Sequence, residues 1–222
     1  MNITHFDDRE HEGDRLLDIF NRQKELMEKY HDIELRSGLL QTEDCPVNLN
    51  DRKGQARIKD FAWRVTEELG EALDALYGDD DYVHYKEELI DGLHFLVELT
   101  ILAGVTPEQL VPDDWDDDMG DMLEGVATFF PNDLWTDKGL DFVRRLHYVE
   151  HIRLLGMTCN CLKNKPWKQS MMMTDEEAFT TNLKDVWYNY LSLLNMEIGM
   201  EETYQTYFKK SEVNKFRQRS NY

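Results

Sequence analysis

Between Phe61 and Leu102 two helix-like patterns follow one another, and each sets a pair of carboxylates at i, i+3 spacing on or beside an apolar face. In the first, FAWRVTEELGEALDAL, the residues Phe61, Val65, Leu69, Ala72 and Leu76 recur at helical spacing and define a buried stripe. At about 100° per residue, Glu68 falls inside that stripe between Val65 and Ala72 and Glu71 sits on its edge, whereas Glu67 and Asp74 point the other way. The second pattern, HYKEELIDGLHFLVELTILAG, is apolar almost all round and predicts a buried central helix. Its polar arc holds Glu87, His94, Glu98 and, at one margin, Asp91, while Glu88 lies outside that arc between the directions of Phe95 and Leu99. A carboxylate on an apolar face is unfavourable unless it is neutralised, paired or bound to a metal. Two such helices packed side by side would bring Glu68, Glu71, Glu88 and Asp91 together, and an all-oxygen set of this kind selects a hard divalent ion, magnesium or manganese.

The acidity of the rest of the chain sharpens that expectation. With 45 acidic against 25 basic residues in 222, the formal charge is −20, a field that repels nucleic-acid backbones and argues against binding a nucleic-acid polymer. Free nucleotides escape that exclusion when metals bridge the like charges. Cys45, Cys159 and Cys161 form neither an even set nor a CxxC pair, which speaks against a disulfide framework or a zinc site and fits a reducing compartment. The first residues lack the apolar core of a signal peptide, and no apolar run reaches the roughly 20 residues of a membrane span. The expectation is a soluble cytoplasmic protein with no membrane partner, in the host cytoplasm if the source is viral.

Taken in order, the chain reads as helices and loops without strand-type alternation, so the class is all-α. Residues 7–36 form one amphipathic pattern with Leu16, Leu17, Phe20, Leu26, Met27, Tyr30 and Ile33 on its stripe, and Ser37-Gly38 stops it. Residues 39–59 have loop composition and end at the first carboxylate helix, where they could form a pocket wall. After the central helix, Gly104-Val105-Thr106-Pro107 reads as a stop, a cap and a restart. The run DDWDDDMGDM at 113–122 lacks the ligand spacing of a calcium loop and reads as a solvated segment. A helix over 135–157 is expected to pack through Leu140, Phe142, Val143, Leu146, Val149 and Ile152; 159–174 reads as a linker whose Met171, Met172 and Met173 fill gaps in a core or interface. Asp175 follows Thr174 into a helix that Gly199 breaks, and a last helix runs over 201–219. The glycine-broken hairpins FLVELTILAGVTPEQL and YLSLLNMEIGMEETYQTY echo each other weakly.

The tail is basic although the chain is acidic. On a helix Lys210, Asn214, Arg217 and Gln218 share one face and offer ammonium, amide and guanidinium donors suited to phosphate oxygens. With these residues in view, the chain resembles the all-α dimeric dUTPases and the related bacteriophage dCTPase/dUTPases and MazG-type nucleotide pyrophosphohydrolases. The likeness lies in three blocks: Trp63-Arg64 with Glu68-Leu69-Gly70-Glu71; Glu88-Leu89-Ile90-Asp91 with His94-Phe95; and Lys210, Asn214, Phe216-Arg217-Gln218 and Tyr222. Two positions depart from the family pattern: Ser211 stands where it has asparagine after the tail lysine, and Met27 replaces the asparagine of the QxxLN that begins at Gln23. That asparagine belongs to the base pocket of uracil-specific members.

The resemblance implies a single MazG/dimeric-dUTPase-like helical domain over 1–222, with 113–175 as an inserted variable helical subdomain, working as a homodimer. It implies magnesium-dependent hydrolysis of a deoxynucleoside triphosphate, dUTP first and dCTP or another dNTP as the alternative, to the monophosphate and pyrophosphate. Glu68, Glu71, Glu88 and Asp91 would hold the metal and Glu68 would act on the water. Lys210, Asn214 and Arg217 would bind phosphates, and Gln23, Trp63 and Phe95 would line the base or sugar site. The competing reading from another class is a non-catalytic acidic protein that mimics DNA, for which the charge of −20 and the run at 113–122 speak.

Overall fold

A computed structural model describes residues 14–110, 137–165 and 167–219, and among these every regular element is a helix. They are α1 (Arg15–Ser37), α2 (Arg52–Tyr77), α3 (Tyr82–Leu102), the single turn α4 (Pro107–Leu110), α5 (Asp137–Cys161), α6 (Glu176–Glu197) and α7 (Met200–Arg219). The acidic run at 113–122 lies outside the described residues. Aspartates start four of the helices: Asp14, Asp51, Asp81 and Asp175 each accept backbone N–H groups of the first turn. Gly38 (φ 69°), Gly104 (φ 74°) and Gly199 (φ 84°) supply the left-handed residues that end α1, α3 and α6.

The core forms around α3, whose Leu89, Ile90, Leu93, Leu96, Val97 and Leu102 are fully buried. Helix α2 lies along it as a tight hairpin and contributes Ile58, Val65, Leu69 and Ala72; α1 and α7 close one side, α6 another. Trp187 of α6 anchors the middle: its ring stacks on Phe20 at 5.8 Å and its indole N–H donates to Thr100 at 2.8 Å.

Close approach of α2 and α3 depends on Gly92. A Cβ there would overlap the Tyr190 hydroxyl and lie 3.4 Å from the Cβ of Glu68. The Tyr190 side chain, fully buried, reaches from α6 into that notch and donates to the Leu89 carbonyl at 2.7 Å. Thus the turn carrying Glu88 and Asp91 is braced from behind by a tyrosine that only a glycine admits.

Helix α5 differs from expectation. Val143 faces inward as expected, but Phe142, Leu146, Val149 and Ile152 are exposed; the inward face carries His147, Tyr148, His151, Leu154 and Leu155 instead. The reason is the partner surface: α6 presents Asn189 and Tyr190, which receive imidazoles, with His147 at 3.2 Å from Asn189 and His151 ring-to-ring with Tyr190 at 5.1 Å. A near-buried Arg144–Glu197 pair at 2.7 Å ties the helix down. Tyr148, Leu154 and Leu155 join the same core cluster as α2 and α3.

The segment expected as a linker is pinned: Asn164 bonds the Met172 backbone in both directions and the Asn50 carbonyl, while Gln55 receives the Asn164 N–H and reaches Thr174. Met171, Met172 and Met173 themselves point outward and fill no core gap.

The notch at Gly92 is testable. Gly92→Ala is expected to destabilise the protein by about 1–3 kcal/mol through overpacking. Tyr190→Phe removes the colliding oxygen, so the double variant should be more stable than the sum of the single losses in a denaturant-melt cycle. Strict additivity would show that Gly92 and Tyr190 do not brace each other.

Candidate functional site

Residues of four helices line a cavity of about 390 Å³. Beside Glu68, which lines it, α2 and α3 bring acidic side chains together: single oxygens of Glu68, Glu71 and Glu88 lie within 4.8 Å of one another. Glu88 is 6% exposed, as its displacement into the apolar arc predicts, and Glu71 is exposed on the rim. Burial and then a hydrogen bond with Glu88 push the Glu68 carboxyl up to about 8, with the charges of Asp91, Glu88 and Glu71 adding to the rise. The exposed His84 ring, one turn before Glu88, places its Nδ1 3.2 Å from Glu88 Oε1. An oxygen-only set of like charges that must hold a proton in order to coexist fits a hard divalent ion, which would take that proton's place.

Asp91 departs from the expected quartet. Its Oδ2 lies 2.7 Å from Lys210 Nζ of α7, so a residue expected to hold metal and one expected to hold phosphate are paired with each other. Burial raises the Asp91 carboxyl, and Lys210 opposes the rise. Three carboxylates, not four, therefore converge without a cation among the described residues. Asn214, one turn beyond Lys210, also lines the cavity. The side chains of Arg217 and Gln218, and Tyr222, lie outside the described residues. Ser211 is fully buried and is not among the residues that line the cavity.

The middle of the cavity is aromatic. Phe61 and Phe95 meet edge to face at 6.2 Å, and the Arg64 guanidinium lies 5.7 Å from both ring centres. Trp63, expected at this wall, is elsewhere: it is 61% exposed and its indole N–H donates to Glu67 at 2.6 Å. It precedes Glu68 by five positions, about 140° round the helix, so it cannot share the Glu68 face.

The far end is a locked polar network. The Gln23 carbonyl oxygen accepts from the Tyr207 hydroxyl at 2.8 Å and from His94 Nδ1 at 2.9 Å, and the His94 ring stacks on Tyr207 at 3.8 Å. Burial pushes His94 down to about 3, so the ring is neutral and its Nδ1 carries the donated proton. With its oxygen so engaged, Gln23 turns its amino group to Glu98, donating at 2.9 Å. Burial raises the Glu98 carboxyl to about 7. Sequence reasoning placed Glu98 on the polar arc without assigning it a role, and it missed Phe61 and Arg64 as wall residues. The repeat of Asp91, His94 and Glu98 on one arc was the available signal. Met27 faces a neighbouring cavity of about 370 Å³ with Cys45 and Arg57.

The model of a family described as dUTPase matches residues 68–222, which begin at the first clustered glutamate and run through the tail. No curated protein and no solved structure matches the chain. No helix among the described residues is long and apolar enough to cross a membrane.

The crowded carboxyls have a consequence for stability. Glu68 and Glu98 hold protons in the folded state at pH values where the unfolded chain has released them, so stability falls as pH rises towards their folded values. The buried His94, His147 and His151, depressed to about 3, 4 and 4, contribute stability that is fully present above the unfolded histidine range and so do not oppose this near neutrality. Without divalent ions the denaturation midpoint should therefore drop between about pH 6.5 and about pH 8, and magnesium or Glu68→Gln should flatten the drop. A midpoint that is flat in chelator would contradict the clustered geometry.

Proposed function

This chain belongs to the all-α dUTPase family, and from that premise we propose that it hydrolyses dUTP to dUMP and pyrophosphate with magnesium as cofactor. The observation that carries the reading is the carboxylate cluster of Glu68, Glu71 and Glu88, joined through Glu68 to the aromatic-walled cavity that Glu68 and Asp91 line. Divalent ions held by these three and by Asp91 would screen the triphosphate and make a bound water more acidic.

The protein's own groups supply the remainder. Glu68, half-buried with a carboxyl that binds protons near neutral pH, is suited to orient a water and take its proton as the water oxygen attacks and the bond between the α and β phosphates breaks. Lys210 and Asn214 on the opposite helix offer an ammonium and an amide to the phosphates, and Arg217 on the same helix would add a guanidinium to the departing pyrophosphate. Lys210 and Asp91 hold each other at the mouth of the site. A triphosphate arriving with its cations offers each of them a counter-charge, so the pair can part without leaving either charge bare.

Phe61 and Phe95 give the sugar and base an apolar wall, and Gln23 stands at the base end. Trp63 takes no part in this proposal, since it faces outward. The reading includes a homodimer, for which the outward stripe of Phe142, Leu146, Val149 and Ile152 on α5 supplies apolar surface.

Pyrophosphate release from dUTP in magnesium tests the proposal. Glu88→Gln should lower the rate by about 100-fold or more. Its melting temperature should hold or rise, because a carboxylate is removed from a repelling cluster. Full magnesium-dependent activity in the variant would unseat the site assignment, and no pyrophosphate from the wild-type chain would favour the acidic DNA-mimic reading.

A further inference from the structure

Two turns of α3 separate the acidic end of the cavity from its far end: Asp91, then His94 and Phe95, then Glu98, spanning about 10 Å of helix axis. A nucleotide with its phosphates at Asp91 and Lys210 and its ring system along Phe95 therefore brings its base to Glu98 and Gln23.

What the base meets there is fixed by the network behind it. Both protein donors at the Gln23 carbonyl, the Tyr207 hydroxyl and His94 Nδ1, lock the amide so that its nitrogen faces outward. One of its two N–H groups goes to Glu98 Oε2 and the second remains for a ligand. Gln23 is the hydrogen-bond partner of Glu98 among the described residues, and Glu98 Oε1 is left as an acceptor on the cavity wall. The end of the pocket thus sets a carboxylate acceptor beside an amide donor.

An acceptor beside a donor is complementary to a donor beside an acceptor. Uracil offers N3–H next to a carbonyl oxygen, and cytosine offers its exocyclic amine next to N3. The Glu98 oxygen can accept from either donor, so the pair excludes neither base. We propose that Glu98 is the residue that reads the base, and that its pairing with Gln23 admits dCTP as a substrate alongside dUTP. This rests on the nucleotide-hydrolase reading of the site and extends its substrate class.

Steady-state pyrophosphate release by the full chain, with dUTP and with dCTP, tests the inference on the wild type, Glu98→Gln and Glu98→Ala. The wild type should turn over both nucleotides with kcat/KM within about tenfold of each other. Glu98→Ala should raise KM for both by about tenfold or more with kcat little changed, the loss expected for one charge-assisted hydrogen bond. Glu98→Gln, which preserves shape and one acceptor, should lose less on both nucleotides than Glu98→Ala does. A KM unchanged in Glu98→Ala, or a wild type more than about tenfold poorer on dCTP, overturns the proposal. If the wild type hydrolyses neither nucleotide, the hydrolase reading fails by itself, and calorimetry with dUMP and dCMP then decides the role of Glu98: weaker binding of both in Glu98→Ala upholds it and equal binding overturns it.

Discussion

Repulsion among Glu68, Glu71 and Glu88 is the interaction the rest of the bundle has to withstand. Carboxylates held within 4.8 Å of one another push their helices apart unless protons or cations intervene. What opposes the push is apolar: Val65, Leu69 and Ala72 of α2 against Leu89, Leu93 and Leu96 of α3, all buried, each large side chain contributing on the order of 1.5–3 kcal/mol. Gly92 lets that contact close and Tyr190 holds it from behind. The site is therefore strained in charge and relaxed in packing, the arrangement expected where a cation is to be bound and released without moving the helices.

Helix α3 also serves as the ruler of the cavity. Groups of different chemistry occupy successive turns on one side of it, anionic at Glu88 and Asp91, aromatic at His94 and Phe95, and acidic again at Glu98. Helix α7 reaches the acidic end through Lys210, which pairs with Asp91, and with α1 it sets the other end, where Tyr207 and His94 clamp Gln23. A buried polar network of that kind is stable only in one register, because a slip of a single residue would leave an amide, an imidazole and a hydroxyl unpaired. The lock thereby fixes how far α7 slides along α3, and with it the position of Lys210 and Asn214.

Much of this was legible from residue spacing. The two carboxylate pairs, the central helix, the start of a helix after Thr174-Asp175 and the stop at Gly199 follow from periodicity and local chemistry, properties of single helices, whereas α2 begins at Arg52, inside a stretch whose composition reads as loop. Trp63, expected at the base wall, points outward instead, as a turn count from Glu68 sends it. What one helix cannot reveal is which face its partner wants. The inward face of α5 carries imidazoles rather than its leucine and valine stripe because α6 offers Asn189 and Tyr190 there, a fact of the pair. The Asp91–Lys210 contact joins residues 119 positions apart by difference of number, and Glu98 acquires a role only once Gln23 is placed opposite it.

The pairing of Asp91 with Lys210 bears on how a chain of charge −20 could accept a triphosphate at all. Taken alone, either ligand is opposed: a cation-free triphosphate meets three carboxylates, and a cation arriving by itself must draw Asp91 away from an ammonium 2.7 Å distant. Arriving together they exchange one ion pair for two, and the ammonium released from Asp91 is already beside the phosphates. Coulomb energies at such separations are several kcal/mol in a partly shielded site, large against thermal energy. On the proposed reaction the pair thus acts as a placeholder, keeping the fourth carboxylate neutral in effect until a metal-bearing nucleotide supplies both partners with something better. The excess negative charge elsewhere on the surface then does not prevent binding, because the species that enters carries its own cations.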